Sequence, residues 1–144
     1  SGQFLAGGSA TAGTRHHIPG AADVSGDGMP DLIVTSSGSS EVLVFESGDL
    51  GSDPLPTLVG VAPWDVAALD LDADGDLDLV VGDYGAHQVR ELMNDGSGGF
   101  VNGAAHTVGT QPHQIVVADF DGDGRADLAT ANDGEATITL LLAR

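Results

Sequence analysis

Apolar residues fall along this chain in short runs, partly β-branched and closed by Gly, Asn, Ser or Asp, and no stretch carries a helical period. The clearest unit predicts four strands: Trp64 to Leu69 (A), Leu79 to Gly82 (B), Gln88 to Met93 (C) and Phe100 to about Val108 (D), the last after the turn Asn94-Asp95-Gly96-Ser97-Gly98-Gly99. The same parts recur as Ile115 to Ala118, Leu128 to Thr130 and Thr137 to Leu142, and as Ala21 to Ala22, Leu32 to Thr35 and Glu41 to Phe45. Strand A is the smallest and most uniformly apolar, which suits an innermost strand where neighbouring sheets converge. Three landmarks keep one frame: an acidic stretch starting at Asp23, Asp70 and Asp119, a glycine ten residues before it (Gly13, Gly60, Gly109), and a glycine seven after its last Asp (Gly38, Gly85, Gly134). The spacings of 47 and 49 residues belong to the range of solenoids, propellers and arrays, and four-stranded antiparallel units at that spacing are propeller blades. The expectation is therefore an all-β fold: one propeller segment over residues 1–144, with repeats at about 1–47, 48–96 and 97–144 and the outer strand permuted.

The acidic stretch supplies the chemistry. Asp70 to Asp78 (DLDADGDLD) places carboxylates at positions 1, 3, 5 and 9 (Asp70, Asp72, Asp74, Asp78) and glycine at position 6. Asp119 to Asp127 (DFDGDGRAD) repeats this with Asp119, Asp121, Asp123 and Asp127, and Asp23 to Asp31 (DVSGDGMPD) with Asp23, Ser25, Asp27 and Asp31. Carboxylates so crowded repel one another unless a hard dication sits among them or the loop stays open and hydrated. Oxygen-only donors point to Ca²⁺. Position 7 (Met29, Asp76, Arg125) varies freely, as expected of a residue that contributes only its carbonyl. An EF-hand is excluded, because position 12 holds Val34, Val81 and Thr130 instead of a bidentate Glu, and a strand rather than a helix follows.

Composition alters this picture little. The 144 residues are 41% hydrophobic and 4% aromatic, with 22 glycines, which fits one domain of short strands and tight turns. No Cys excludes a disulfide framework and a zinc-thiolate site. The net charge of −18 would fall to −12 with three Ca²⁺ bound, so much of the acidity is site chemistry. What remains, with four Arg and no Lys, argues against nucleic acid and anionic membranes as partners. No stretch is long and apolar enough to span a membrane, and no signal peptide is evident, but millimolar extracellular calcium makes a secreted parent protein the expectation.

Taken together, the Asp-x-Asp-x-Asp-Gly-x-x-Asp loops, the Leu-Val-Val type strand that follows them and the stretch Asn94 to Phe100 resemble the FG-GAP/VCBS repeat family, the blades of integrin α-chain propellers and of many secreted proteins. The resemblance implies Ca²⁺ in the hairpin between strands A and B, on the face opposite the usual ligand surface. Ser25 at a ligand position, and Leu50-Gly51-Ser52-Asp53-Pro54 in place of a Gly-Phe entry, depart from the pattern. Ser1-Gly2-Gln3-Phe4 matches Ser97-Gly98-Gly99-Phe100, so the strand order reads D, ABCD, ABCD, ABC. Three blades cannot close, since propellers use about four to eight. The expectation is a homodimer of six blades in which each N-terminal strand D completes the other copy's last blade, with a nine-bladed homotrimer as second choice and a piece of a single-chain propeller as third.

On the opposite face, His17, Trp64 and His113 align at the mouth of the expected channel, with Asp83, Tyr84 and His87 near the B-C turns. An aromatic ring beside imidazoles and carboxylates suits a sugar, with a plug in the channel as the plainer alternative. The function expected is a non-enzymatic calcium-binding recognition module, adhesive or lectin-like. The alternatives are a structural or engineered propeller fragment, or part of a polysaccharide-active enzyme using a Tyr84/Arg90-type pair.

Overall fold

The structure is a computed structural model that describes residues 3–4 and 7–144. Its first sheet is an antiparallel meander of β1 (Gly20–Ala22), β2 (Asp31–Ser36), β3 (Glu41–Phe45) and β4 (Leu55–Leu58), in that order. The second repeats it with β5 (Pro63–Leu69), β6 (Asp78–Asp83), β7 (Gln88–Asn94) and β8 (Phe100–Thr107). The third has β9 (Pro112–Ala118), β10 (Asp127–Asn132) and β11 (Thr137–Leu141), with β10 in the middle. Each sheet is one propeller-like blade, and its first strand is the inner one: β5 touches β1 and β2 on one side and β9 on the other.

Most strands run a residue or two beyond the predicted bounds, while β8 and β11 end one residue short of them. In each blade the second strand starts at the last acid of the loop, Asp31, Asp78 or Asp127, which pairs with the end of the first strand. The outer strand of the first blade, β4, is only four residues, because Pro54 delays its start and Pro56 has no N–H to give. Among the described residues the expected N-terminal strand D is not formed. Gln3, Phe4 and residues 7–19 contain no strand, only an isolated bridge between His16 and Ser36, and Ser1 and Gly2 lie outside the described residues.

Alternation along each strand sends one set of side chains to each face, so the middle blade packs against a neighbour on either side. Between the first and second blades lie Val24, Ile33, Val42, Val44, Val59, Val66, Leu79, Val81 and Leu92. Between the second and third lie Leu69, Val80, Val89, Ile115 and Leu128. Leu79, Val80, Val81, Val89 and Leu92 are 0% exposed, each contributing at most about 1.5–3 kcal/mol of transfer free energy. The middle blade is thus buried on both sides. Val34, Leu43 and Phe45 on the far face of the first blade are covered by Ala12 and Leu50. On the far face of the third blade, Val116 (52%), Ile138 (78%), Leu140 (49%) and Leu142 (40%) are exposed.

Candidate metal loops and axial aromatic cluster

The three acidic loops share one hydrogen-bond pattern, set by position. The first Asp accepts two backbone N–H groups, at positions 4 and 6: Asp23 from Gly26 and Gly28, Asp70 from Ala73 and Gly75, Asp119 from Gly122 and Gly124. Position 6 takes φ of 84°, 102° and 90° in Gly28, Gly75 and Gly124, a left-handed turn that explains the glycine there. Position 5 accepts the N–H of position 7, Asp27 from Met29, Asp74 from Asp76 and Asp123 from Arg125. These bonds wind the backbone around the carboxylates, each loop joining an inner strand to the strand that follows.

Position 9 is the buried member of the set, with Asp31, Asp78 and Asp127 only 1%, 2% and 1% exposed. One of its oxygens accepts the N–H of position 2 (Val24, Leu71, Phe120) and the other accepts an N–H at or just past the end of the third strand, from Ser47, Asn94 and Ala143, at 2.7–2.8 Å. The Ala143 and Phe120 bonds hold the Asp127 carboxyl below the usual range. At Asp72 loss of solvation acts in the opposite direction, and the charges of Asp74, Asp78 and Asp70 add to it. That is the electrostatic demand a bound cation would answer.

Carboxylate oxygens of positions 1, 3 and 9 come within 4.8 Å of one another in the second and third loops, as Asp70/Asp72/Asp78 and Asp119/Asp121/Asp127. These two clusters have the geometry to hold a metal ion. Asp74 and Asp123 stand outside the two triads. In the first loop the Ser25 hydroxyl bonds Asp31 Oδ1 at 3.3 Å, and Asp27 accepts the Ser47 hydroxyl, which lowers its pKa ahead of the Met29 N–H.

Opposite the loops, Trp64 and His113 at the starts of β5 and β9 meet His17, ahead of β1, and Tyr84, just after β6. His17 stacks on Trp64 with centroids 3.6 Å apart, Tyr84 stacks at 4.8 Å and His113 tilts against the indole at 5.0 Å. All four are half-buried. Desolvation, then the charges of His113 and His16, lowers the His17 pKa from 6.5, and its Nε2 lies 2.8 Å from Ser37 Oγ. The seven residues of β5 put this cluster about 20 Å from the second acidic loop.

Asp83 turns into the blade and does not join the rings. Asp83 is 0% exposed and binds the Val61 N–H at 2.8 Å, with Arg90 Nε 3.8 Å from its Oδ2. His87 is exposed and accepts the Gln111 N–H through Nδ1. Asp83 belongs instead to a buried series at the end of the second strand, Ser36, Asp83 and Asn132. A Cβ on Gly13, Gly60 or Gly109 would run into these three side chains. The other periodic glycines, Gly38, Gly85 and Gly134, donate N–H to Thr14, Val61 and Thr110 carbonyls at 2.9–3.0 Å. The periodic glycines are where two loops cross.

Sequence reasoning passed over Asp65. It is buried, its Oδ2 accepts the Ile115 N–H of the next blade at 2.7 Å, and desolvation raises its pKa against the pull of that bond. The one available signal was a lone acid inside the most apolar strand. Of the Tyr84/Arg90 pair, Tyr84 is stacked on Trp64 and Arg90 sits beside Asp83.

A family model described as FG-GAP-like repeat matches residues 23–81 and 70–130, each match running from the first Asp of one loop through the strand after the next. No curated protein matches the sequence significantly. With that model covering most of the chain and its acidic loop seated between the first two strands of every blade, the protein belongs to the FG-GAP-like repeat family.

Proposed function

We propose that this chain is a non-enzymatic calcium-binding recognition module of a secreted protein, with ions bracing the outer corners of its blades and a ligand taken on the opposite face. The observation that supports it most is the convergence of three carboxylates within 4.8 Å in each of two loops. All donors are hard oxygens, and the adjoining backbone N–H groups already hold the loop around the site, the requirements of Ca²⁺ rather than of a softer metal. Repeats of this family are generally recognition modules, which favours binding over turnover.

Calcium titration of chelator-stripped protein by calorimetry tests this. Two tighter sites and a weaker one at the Ser25 loop are expected, with each site adding about 2.7 kcal/mol of stability at a hundredfold excess over its Kd. No heat and no rise in melting temperature would reject the reading.

A carbohydrate is the ligand class that the half-buried Trp64, Tyr84 and imidazoles favour. Trp64 already stacks on His17 and Tyr84, so a sugar would dock on the rim of the stack rather than on a bare indole. Glycan binding that Trp64→Ala abolishes would support this; glycan binding untouched by that change would place the ligand elsewhere.

A further inference from the structure

The far face of the third blade is built like a face that elsewhere is buried. Val116, Ala118, Ala129 and Ile138 stand at the repeat positions of Ala67, Leu69, Val80 and Val89, the side of the second blade that packs on the third. Among the described residues β11 carries no strand on its outer side, and beside it opens a groove of about 470 Å³ lined by Leu71, Leu128, Leu141 and Leu142, with Glu91 and His106 at its edge. The corresponding groove between the first and second blades is filled. There Phe100, at the start of the outer strand, packs into the shared core, Asn94 Nδ2 donates to the Val24 carbonyl at 2.8 Å, and Gly98 passes close to Ser25. The groove is shaped for a Gly-Phe strand entry of the same type.

The N-terminal segment offers that entry. Ala12 covers the first blade from the position that Val59 and Val108 hold in the later repeats, and Thr14 N donates to Ser36 Oγ where Val61 N donates to Asp83. The link into β1 is therefore already seated as a link between blades. Phe4, two periods before Phe100, is fully exposed.

We infer that this face is an interface between two copies of the chain, with the segment around Phe4 of one copy adding an outer strand to β11 of the other, and reciprocally. The packing continues an interface seen twice within the chain. By the register of β7 and β8, where Asn94 faces Phe100 and Val89 faces His106, Phe4 lies opposite the partner's Ala143 and Ala10 opposite the partner's Ile138.

The test uses the 144-residue chain with calcium. Light scattering should give twice the 14.4 kDa of one chain. Phe4→Ala and Ile138→Asp, both at exposed positions, should keep the β-sheet circular dichroism and weaken association at least about thirtyfold each. Because the chain has no cysteine, Ala10→Cys combined with Ile138→Cys should give a disulfide-linked dimer on a non-reducing gel. A monomer at tens of micromolar (on the order of the concentrations at which weak contacts form), a three-copy assembly, or a disulfide closed within one chain would each overturn the inference.

Discussion

Asp78 and Asp72 are the same residue type six positions apart in one loop, yet their surroundings give them opposite roles. Asp78 is buried and accepts N–H groups from Leu71 and Asn94, so it ties the start of the loop to the end of the third strand. Asp72 is exposed, and its charge is disfavoured by loss of solvation and then by the neighbouring carboxylates. In calcium-free buffer, Asp78→Asn should cost about 1–3 kcal/mol by leaving one of those N–H groups without an acceptor. Asp72→Asn should be neutral or stabilising there and lower the melting temperature only once calcium is added. Urea unfolding with and without chelator measures both, and equal behaviour of the two variants would contradict the division. The sequence spacing made positions 1, 3 and 9 legible as one donor set. It could not show that position 9 turns inward, because that follows from its place as first residue of a strand, nor that position 5 stands outside the triads.

At the scale of elements, the apolar runs made the strands of the two later blades legible with small errors at their ends. The shortened β4 was not, since its prolines decide it. The periodic glycines announced a repeat without revealing their cause, a steric one: Gly85 lies against the Val61 backbone so tightly that a side chain has no room. The axial rings come from all three blades, so protonation of His17 is felt across them. His17 faces Trp64, Ser37, His16 and His113, and its folded pKa lies below 6.5. The unfolded chain therefore takes up the proton first as pH falls. This contribution to stability is complete above 6.5 and is lost as pH drops through the folded value. Melting temperature should decline as pH falls below 6.5, and His17→Phe should flatten the profile; an unchanged slope in that variant would remove His17 as the cause. The predicted ligand set was legible only in part, because periodicity located His17, Trp64, His113 and Tyr84 at the axis but could not tell that Asp83 points into the blade.

At the scale of the whole molecule, the middle blade is the one with both faces buried, and its neighbours each lean on it. The two outer flanks differ: one is Val34, Leu43 and Phe45 under Ala12, the other Val116 and Ile138 in the open. Unlike flanks cannot mate with themselves, so any pairing through them runs head to tail, and head-to-tail contact either closes into a ring or propagates as a filament. The wedge angle between blades is then a length control. Substitutions that flatten a blade interface, such as enlarging the small residues Ala67 or Ala68 on β5, would shift the balance from a discrete particle towards open polymers without touching either flank.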